Sequence, residues 1–350
     1  MNITKEQHIN TVENSFPQKK ILHTYQNGNH FTSILEDGTR IRETIDDQDT
    51  RFSFVFPENA DVKITNYCNA GCKFCHEGSS IEGKHADLKS MMTLWDSWMP
   101  GTEIAIGGGN ALAHPDIDWF VQYLSERGVI CNITINQKHI FDYYQMLIRF
   151  IENNYVHGIG VSLTDSSKTS DLHVIKHLSR YSNQNVVIHT IAGILSEKDI
   201  PALKDRKVLI LGYKDNVGRG VSYHKEHKDQ IDENIKWLSE NLKDISKTVS
   251  VLSFDNLALK QLEVKRSLGI SQEEWDLRFQ GKDYGDPNGE DAPSTFYLDA
   301  VNKTIGRSST QPYNERVSYI NQTFEEAFKD SLSNYKINEG EYGELKTLQD

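Results

Sequence analysis

The chain has 350 residues, 37% hydrophobic and 25% charged, which is ordinary for a globular protein and enough to build a sizeable core. Its net charge of −12 argues against a nucleic-acid ligand, because such enzymes carry a basic stripe and no dense Lys/Arg run is present. The longest apolar stretch, 186–195, is broken by His189 and Thr190 and falls short of a membrane span. The first residues lack the basic-then-apolar plan of a secretory signal, so the cytoplasm is the expected location.

Residues 1–58 are expected to form a small N-terminal β appendage. Strand-like runs at 21–25, 30–35 and 40–44 are separated by Asn27-Gly28-Asn29 and Glu36-Asp37-Gly38-Thr39, both with hairpin-turn chemistry. Over 59–255 the pattern becomes short apolar strands alternating with amphipathic helices. The strands are predicted at 62–65, 103–106, 129–135, 158–163, 186–191, 207–211 and 249–254. Between them Leu88, Met91, Met92, Trp95 and Trp98 recur at helical spacing, as do Ile117, Phe120, Val121 and Leu124. The same spacing links Ile140, Tyr143, Tyr144, Leu147 and Ile151, and later Ile231, Ile235, Leu238 and Leu242. Repeated strand–helix units imply a parallel sheet with right-handed crossovers, hence an open or closed βα barrel in an α/β fold. Residues 256–350 form the third region: a Gly/Asp/Pro-rich loop at 281–293, a hairpin at 296–299 and 304–307, and a helix at 324–332.

Four cysteines are present, and three fall within the eight residues Cys68-Asn69-Ala70-Gly71-Cys72-Lys73-Phe74-Cys75, directly after the first predicted barrel strand. Such clustering in a reducing compartment indicates metal ligation rather than disulfides. The C-x3-C-x2-C spacing suits three thiolates on three irons of a cubane, leaving the fourth iron open to chelate a small molecule. A loop leaving the C-terminal end of a strand places that cluster at the barrel mouth. Zinc is the competing metal; it usually takes four ligands as two pairs, and beyond the adjacent His76 no second pair follows. Cys131 lies in an apolar strand and reads as a buried thiol.

The segment Cys68–Cys75, with its aromatic Phe74, resembles the signature of the radical S-adenosylmethionine superfamily. The resemblance covers roughly residues 60–255 and implies a partial (β/α)6 barrel, one [4Fe–4S] cluster on Cys68, Cys72 and Cys75, and S-adenosylmethionine as cofactor. It also implies that Phe74 lies near the adenine. Gly107-Gly108-Gly109-Asn110 follows the second strand, where glycines let the backbone approach a ligand. In the family this segment holds the methionine amino group, usually with an acidic residue where Asn110 stands; an amide oxygen can still accept from an ammonium. Further cofactor contacts are expected from strand ends, at Thr134, Asn136, Ser162 and His189. For each, the alternative is an ordinary satisfied hydrogen bond.

On the substrate side, Gly218-Arg219-Gly220 resembles segments of the peptide-modifying branch, or else is an exposed polar turn. Asp255 and Asn256 either line a pocket or cap a helix near Leu257. The C-terminal hairpin and helix loosely resemble the SPASM/twitch-like cap of that branch, but no cysteine follows Cys131 to hold an auxiliary cluster, and Ser308 and Ser309 stand where one is expected. The resemblance implies a radical enzyme fed by an external reductant of the flavodoxin or ferredoxin type. Its substrate would be a peptide or protein side chain, or a small metabolite or nucleotide. A cluster-bearing electron-transfer or sensor protein is the non-catalytic alternative; such carriers normally close all four iron positions.

Overall fold

The computed structural model describes residues 2–49, 52–182, 185–278 and 295–331. The 281–293 loop and the last residue of the predicted C-terminal helix lie outside the described residues. Helix α1 (Lys5–Ser15) opens the chain, closed at its N-terminus by a capping box in which the Thr4 hydroxyl accepts from Gln7 N–H and the Gln7 side chain accepts from Thr4 N–H. Strands β1 (Ile21–Asn27), β2 (His30–Leu35) and β3 (Arg40–Thr44) follow as an antiparallel sheet in the order β1-β2-β3. The turn between β1 and β2 needs Gly28: its φ is +55°, and a Cβ there would lie 2.0 Å from the Ser53 carbonyl oxygen.

The small sheet is fastened to the rest by one buried carboxylate. Glu58 accepts from Thr32 Oγ1 (2.6 Å) and Arg42 Nε (2.7 Å), with His30 Nε2 at 3.2 Å and Arg40 Nη1 at 3.7 Å. Burial alone would raise its pKa, but the hydrogen bond from His30 and the Arg42 and Arg40 guanidiniums outweigh that and hold it at about 2. Arg40 also reaches Glu103 (2.8 Å) at the start of the second barrel strand.

Among the described residues ten strands form the main sheet. Seven are consecutive and parallel: β4 (Asn59–Thr65), β5 (Glu103–Gly108), β6 (Ile130–Asn136), β7 (Gly158–Ser162), β8 (Val186–Ile191), β9 (Lys207–Leu211) and β10 (Val251–Phe254). Their intervening helices are α2 (Met92–Asp96), α3 (Ile117–Ser125), α4 (Tyr144–Glu152), α5 (Thr169–Tyr181), α6 (Ile200–Leu203) and α7 (Gly220–Thr248), the last kinked at His227. Alternation splits each strand into two faces. Ile104, Ile106, Ile133, Val161, Ile188, Val208 and Ile210 are buried in one core with Phe120, Leu124, Phe150 and Leu178 of the helices. The other face carries Asp61, Lys63, Glu103, Asn132, Thr134, Asn136, Ser162 and His189, so the concave side is polar. This mixed α/β sheet is the partial barrel that the sequence implied.

After β10 come α8 (Asn256–Gln261), α9 (Val264–Leu268) and α10 (Gln272–Arg278). Asp255 caps α8 through Ala258 N–H (2.7 Å) and also accepts from Gly212 N–H (2.8 Å), so the capping reading of Asp255 is the correct one. The C-terminal hairpin joins the barrel sheet. Strand β11 (Thr295–Asp299) pairs parallel with β4, and β12 (Thr304–Gly306) and β13 (Val317–Ser318) extend the sheet antiparallel beyond it. A helix at 324–331 then packs Phe324 against Trp98, with ring centroids 4.1 Å apart.

Candidate active site

The three cysteines sit on the loop that leaves the C-terminal end of β4, and that loop is folded back on itself. Cys68 N–H donates to Ser80 O (2.8 Å), Ser80 N–H to Asn66 O (3.1 Å), and Asn66 N–H to Lys84 O (2.8 Å). Gly71 has φ +66° with no atom within 4 Å of an added Cβ, so it is the backbone conformation and not crowding that requires glycine. All three cysteines are half-buried, whereas Cys131 is fully enclosed on the outer face of β6, as its apolar surroundings in the sequence implied. Burial pushes the Cys68 and Cys72 thiols up, with Lys138 and Arg219 among the charges that offset it. Metal coordination supplies the deprotonation that burial opposes. Among the described residues no three His, Cys, Asp or Glu side chains are grouped to share one ion. A cubane asks for something else, each thiolate on a different iron.

The glycine run crosses directly beneath this loop. Gly109 N–H donates to Thr65 O (2.7 Å) and Asn110 N–H to Tyr67 O (2.6 Å). A Cβ on Gly108 would lie 2.4 Å from Thr65 O, and one on Gly109 2.1 Å from Tyr67 O. These two glycines therefore serve the close approach of two backbones. Gly107 differs: an added Cβ would meet only Thr134, at 3.9 Å, so Gly107 leaves open space on the concave face. Asn110 is buried beside the Tyr143 hydroxyl, and its Oδ1 has no hydrogen-bond partner. A buried acceptor left without a donor is costly, and a ligand ammonium would satisfy it.

The remaining predicted residues converge on the same end of the sheet. Cross-strand pairing aligns Asn136 with Ser162 and Ser162 with His189, and Thr134 sits one step below. The His189 ring occupies the room left by Gly160, where a Cβ would lie 2.4 Å away. Burial lowers the His189 pKa to about 4, so the ring is neutral at pH 7 and can both donate and accept. Asn136 Nδ2 lies 3.5 Å from Cys72 Sγ, tying this layer to the cysteine loop. Phe74 meets Tyr223 of α7 edge-to-face, with centroids 5.8 Å apart.

Sequence reasoning missed what braces the cysteine loop. Arg219, which the sequence left as a substrate-side residue or part of an exposed polar turn, donates from Nε to Cys72 O (3.0 Å) and from Nη1 to Ser79 O (2.9 Å), while its N–H bonds Cys75 O (3.0 Å). Gly218 makes this fit possible, since a Cβ there would lie 2.2 Å from His76 O. The loop after β9 thus meets the loop after β4 and curls the sheet towards closure. Next to it Lys63 pairs with Glu77 (2.8 Å) and Asp299 (3.2 Å), Tyr297 donates to Glu77 (2.9 Å), and Lys214 donates to Ser309 (2.8 Å) and lies 3.3 Å from His76 Nε2. Burial works against the Lys63 ammonium, yet Glu77 and Asp299 hold its pKa above the ordinary lysine value. Lys138 Nζ donates to Ala70 O (2.7 Å) and His139 Nε2 is 3.8 Å from Cys68 Sγ, a third brace. Replacing Arg219 by Met should remove hydrogen bonds to a charged donor worth about 1.5–3 kcal/mol. Iron should then be lost to a chelator roughly tenfold faster or more, with unchanged circular dichroism; Lys, lacking the planar fork, should rescue only in part.

Solved structures share this architecture. The chain is similar to SuiB from Streptococcus suis bound to S-adenosylmethionine, at 14% identity and a TM-score of 0.50, over 79% of this chain and 64% of that one. It is also similar to SuiB bound to the precursor peptide SuiA, at 14% identity and a TM-score of 0.54, over 81% of this chain and 67% of that one. The chain shares the fold of these structures. It spans just under two thirds of the SuiB chain in the first of these, 64%. No protein-family model matches the chain, and no curated protein matches it by sequence. Among the described residues no helix is long and apolar enough to cross a membrane.

Proposed function

We propose that this chain is a radical S-adenosylmethionine enzyme holding one [4Fe–4S] cluster on Cys68, Cys72 and Cys75. One observation carries the reading: three half-buried cysteines follow the backbone that hydrogen-bonds to a glycine run whose Asn110 oxygen lacks a donor, at the C-terminal strand ends of a fold shared with an S-adenosylmethionine-bound protein. When bound, the cluster and cofactor supply one-electron cleavage of a C–S bond, yielding a 5′-deoxyadenosyl radical that abstracts hydrogen from a substrate. The chain's own residues bind, orient and exclude water. Arg219 and Lys138 hold the cysteine loop; Asn110 accepts from the methionine ammonium through Oδ1; Gly107 leaves room for the ligand; Phe74 flanks the adenine. Thr134, Asn136, Ser162 and neutral His189 offer hydrogen bonds along the concave face.

A peptide substrate is favoured by the likeness to SuiB bound to a precursor peptide. An external one-electron donor of the flavodoxin or ferredoxin type completes the cycle, in a cytoplasm that keeps the thiols reduced. Residues 59–255 form the catalytic unit in this reading, 1–58 an appendage braced through Glu58, and 256–350 a cap without cysteines whose β11 completes the wall beside β4. Anaerobic reconstitution should load about four irons per chain, and S-adenosylmethionine should change the electron paramagnetic resonance spectrum of the reduced cluster by occupying the open iron. A spectrum indifferent to the cofactor would mean that no iron is open.

A further inference from the structure

Most charged groups on the concave face are paired. Lys63, Glu77, Asp299 and Arg316 form one network, with Arg316 Nη1 3.7 Å from Asp299. Glu103 is satisfied by Arg40 and by Asn132 Nδ2 (2.6 Å). Asp61 is the exception. Its neighbours Ala60 and Val62 are buried in the core, so alternation turns Asp61 to the concave face, between Ala105 of β5 and Tyr297 of β11. Among the described residues its carboxylate has no hydrogen bond or ion pair, and its side chain stays open to solvent. Yet it is ringed by protein. The charges it senses are Lys214 and Asp255, on the loops after β9 and β10 at the far side of the parallel sheet, and Glu77 on the loop after its own strand. An exposed carboxylate within such a wall lines a lumen rather than the outer surface.

The balance of those charges sets the ligand chemistry. Lys214 is already engaged by Ser309 and His76, whereas Glu77 and Asp255 add negative potential at Asp61. A carboxylate without a partner, where Glu77 and Asp255 add negative potential, favours an incoming cation that hydrogen-bonds to it. Resting on the catalytic reading above, we propose that Asp61 anchors a cationic group of the substrate, an amine or guanidinium, inside the barrel.

The test uses the anaerobically reconstituted full chain and acetylated, amidated tripeptides Ala-X-Ala, with X lysine, arginine, norleucine or glutamate. Agmatine serves as a free small-molecule cation, and binding is read by saturation-transfer NMR titration. The lysine or arginine peptide should bind at least about tenfold tighter than the norleucine peptide, the scale of a charged hydrogen bond. Agmatine binding as tightly as the peptides would assign the cation to a small metabolite; weaker agmatine binding would assign it to a peptide side chain. Asp61→Asn should bring the lysine-to-norleucine ratio close to one, Asp61→Glu should keep it, and the surface control Asp244→Asn should leave it unchanged. No preference in the wild type, or an intact preference in Asp61→Asn, would overturn the anchor. An Asp61-dependent preference in a wild type that makes no 5′-deoxyadenosine would overturn the catalytic reading alone.

Discussion

Replacing Cys72 with alanine is expected to abolish cluster assembly while leaving the fold intact. The side chain of Cys72 takes no part in the bonds that brace its loop, which run from backbone to backbone and from Arg219 and Lys138 to backbone carbonyls. Its thiol accepts one long hydrogen bond from Asn136 Nδ2, at 3.5 Å. Two cysteines would leave two irons without protein ligands, and a cubane so held is open to loss. After anaerobic reconstitution the variant should show almost no bound iron or sulfide and no visible charge-transfer band. Its thermal unfolding should match that of the wild-type apoprotein. A full iron complement in the Cys72→Ala protein would refute the ligand assignment.

The second large effect concerns stability. Glu58 has no exposed side-chain surface and takes hydrogen bonds from Thr32 and Arg42, with Arg40 and His30 beside it. Truncating it leaves the partly buried Arg42 guanidinium without its counter-charge and Arg40 with Glu103 alone, so Glu58→Ala should cost about 3–5 kcal/mol. The unfolding temperature should fall by about 10 °C. The linkage has a definite sign. Its folded pKa of about 2 lies below the ordinary value of 4.5, so Glu58 stabilises fully above pH 4.5 and progressively less as pH falls towards 2. The stability gap between wild type and Glu58→Gln should therefore be constant near pH 7 and narrow through that acid window. Denaturant melts of both proteins at several pH values check this, and a gap that widens on acidification would contradict it.

The barrel was legible because burial on one face imposes period-two apolar patterning, and the seven predicted strands lie where the parallel strands are. Helix α1 escaped because only His8 and Val12 are buried on it, too few to show a stripe; its signal was the Thr4–Gln7 capping box. The pairing of β11 with β4 joins segments more than 230 residues apart, and no local pattern reveals such a partner. The cysteines and glycine run stand out in the sequence as a candidate site because their chemistry is rare and their spacing short. The bracing role of Arg219 was not legible for the opposite reason. Its partners lie 140 and 147 residues away, so its role depends on how the sheet curls. Asn110 stands where the family's acidic residue is expected, and only the structure shows that its buried Oδ1 has no hydrogen-bond partner. Asp61 sits in a strand whose alternation marks a concave-face position but says nothing of whether a partner waits there.

The central claim is that this cluster opens S-adenosylmethionine to one-electron cleavage, and product formation tests it most directly. Reconstituted protein reduced with dithionite and given S-adenosylmethionine under anaerobic conditions should form 5′-deoxyadenosine, detected by liquid chromatography and mass spectrometry. Formation should require both the reductant and the intact Cys68, Cys72 and Cys75 triad. An intact, reducible cluster that binds the cofactor and yields no 5′-deoxyadenosine, alone or with the cationic peptides, would contradict the account and point to an electron carrier or sensor.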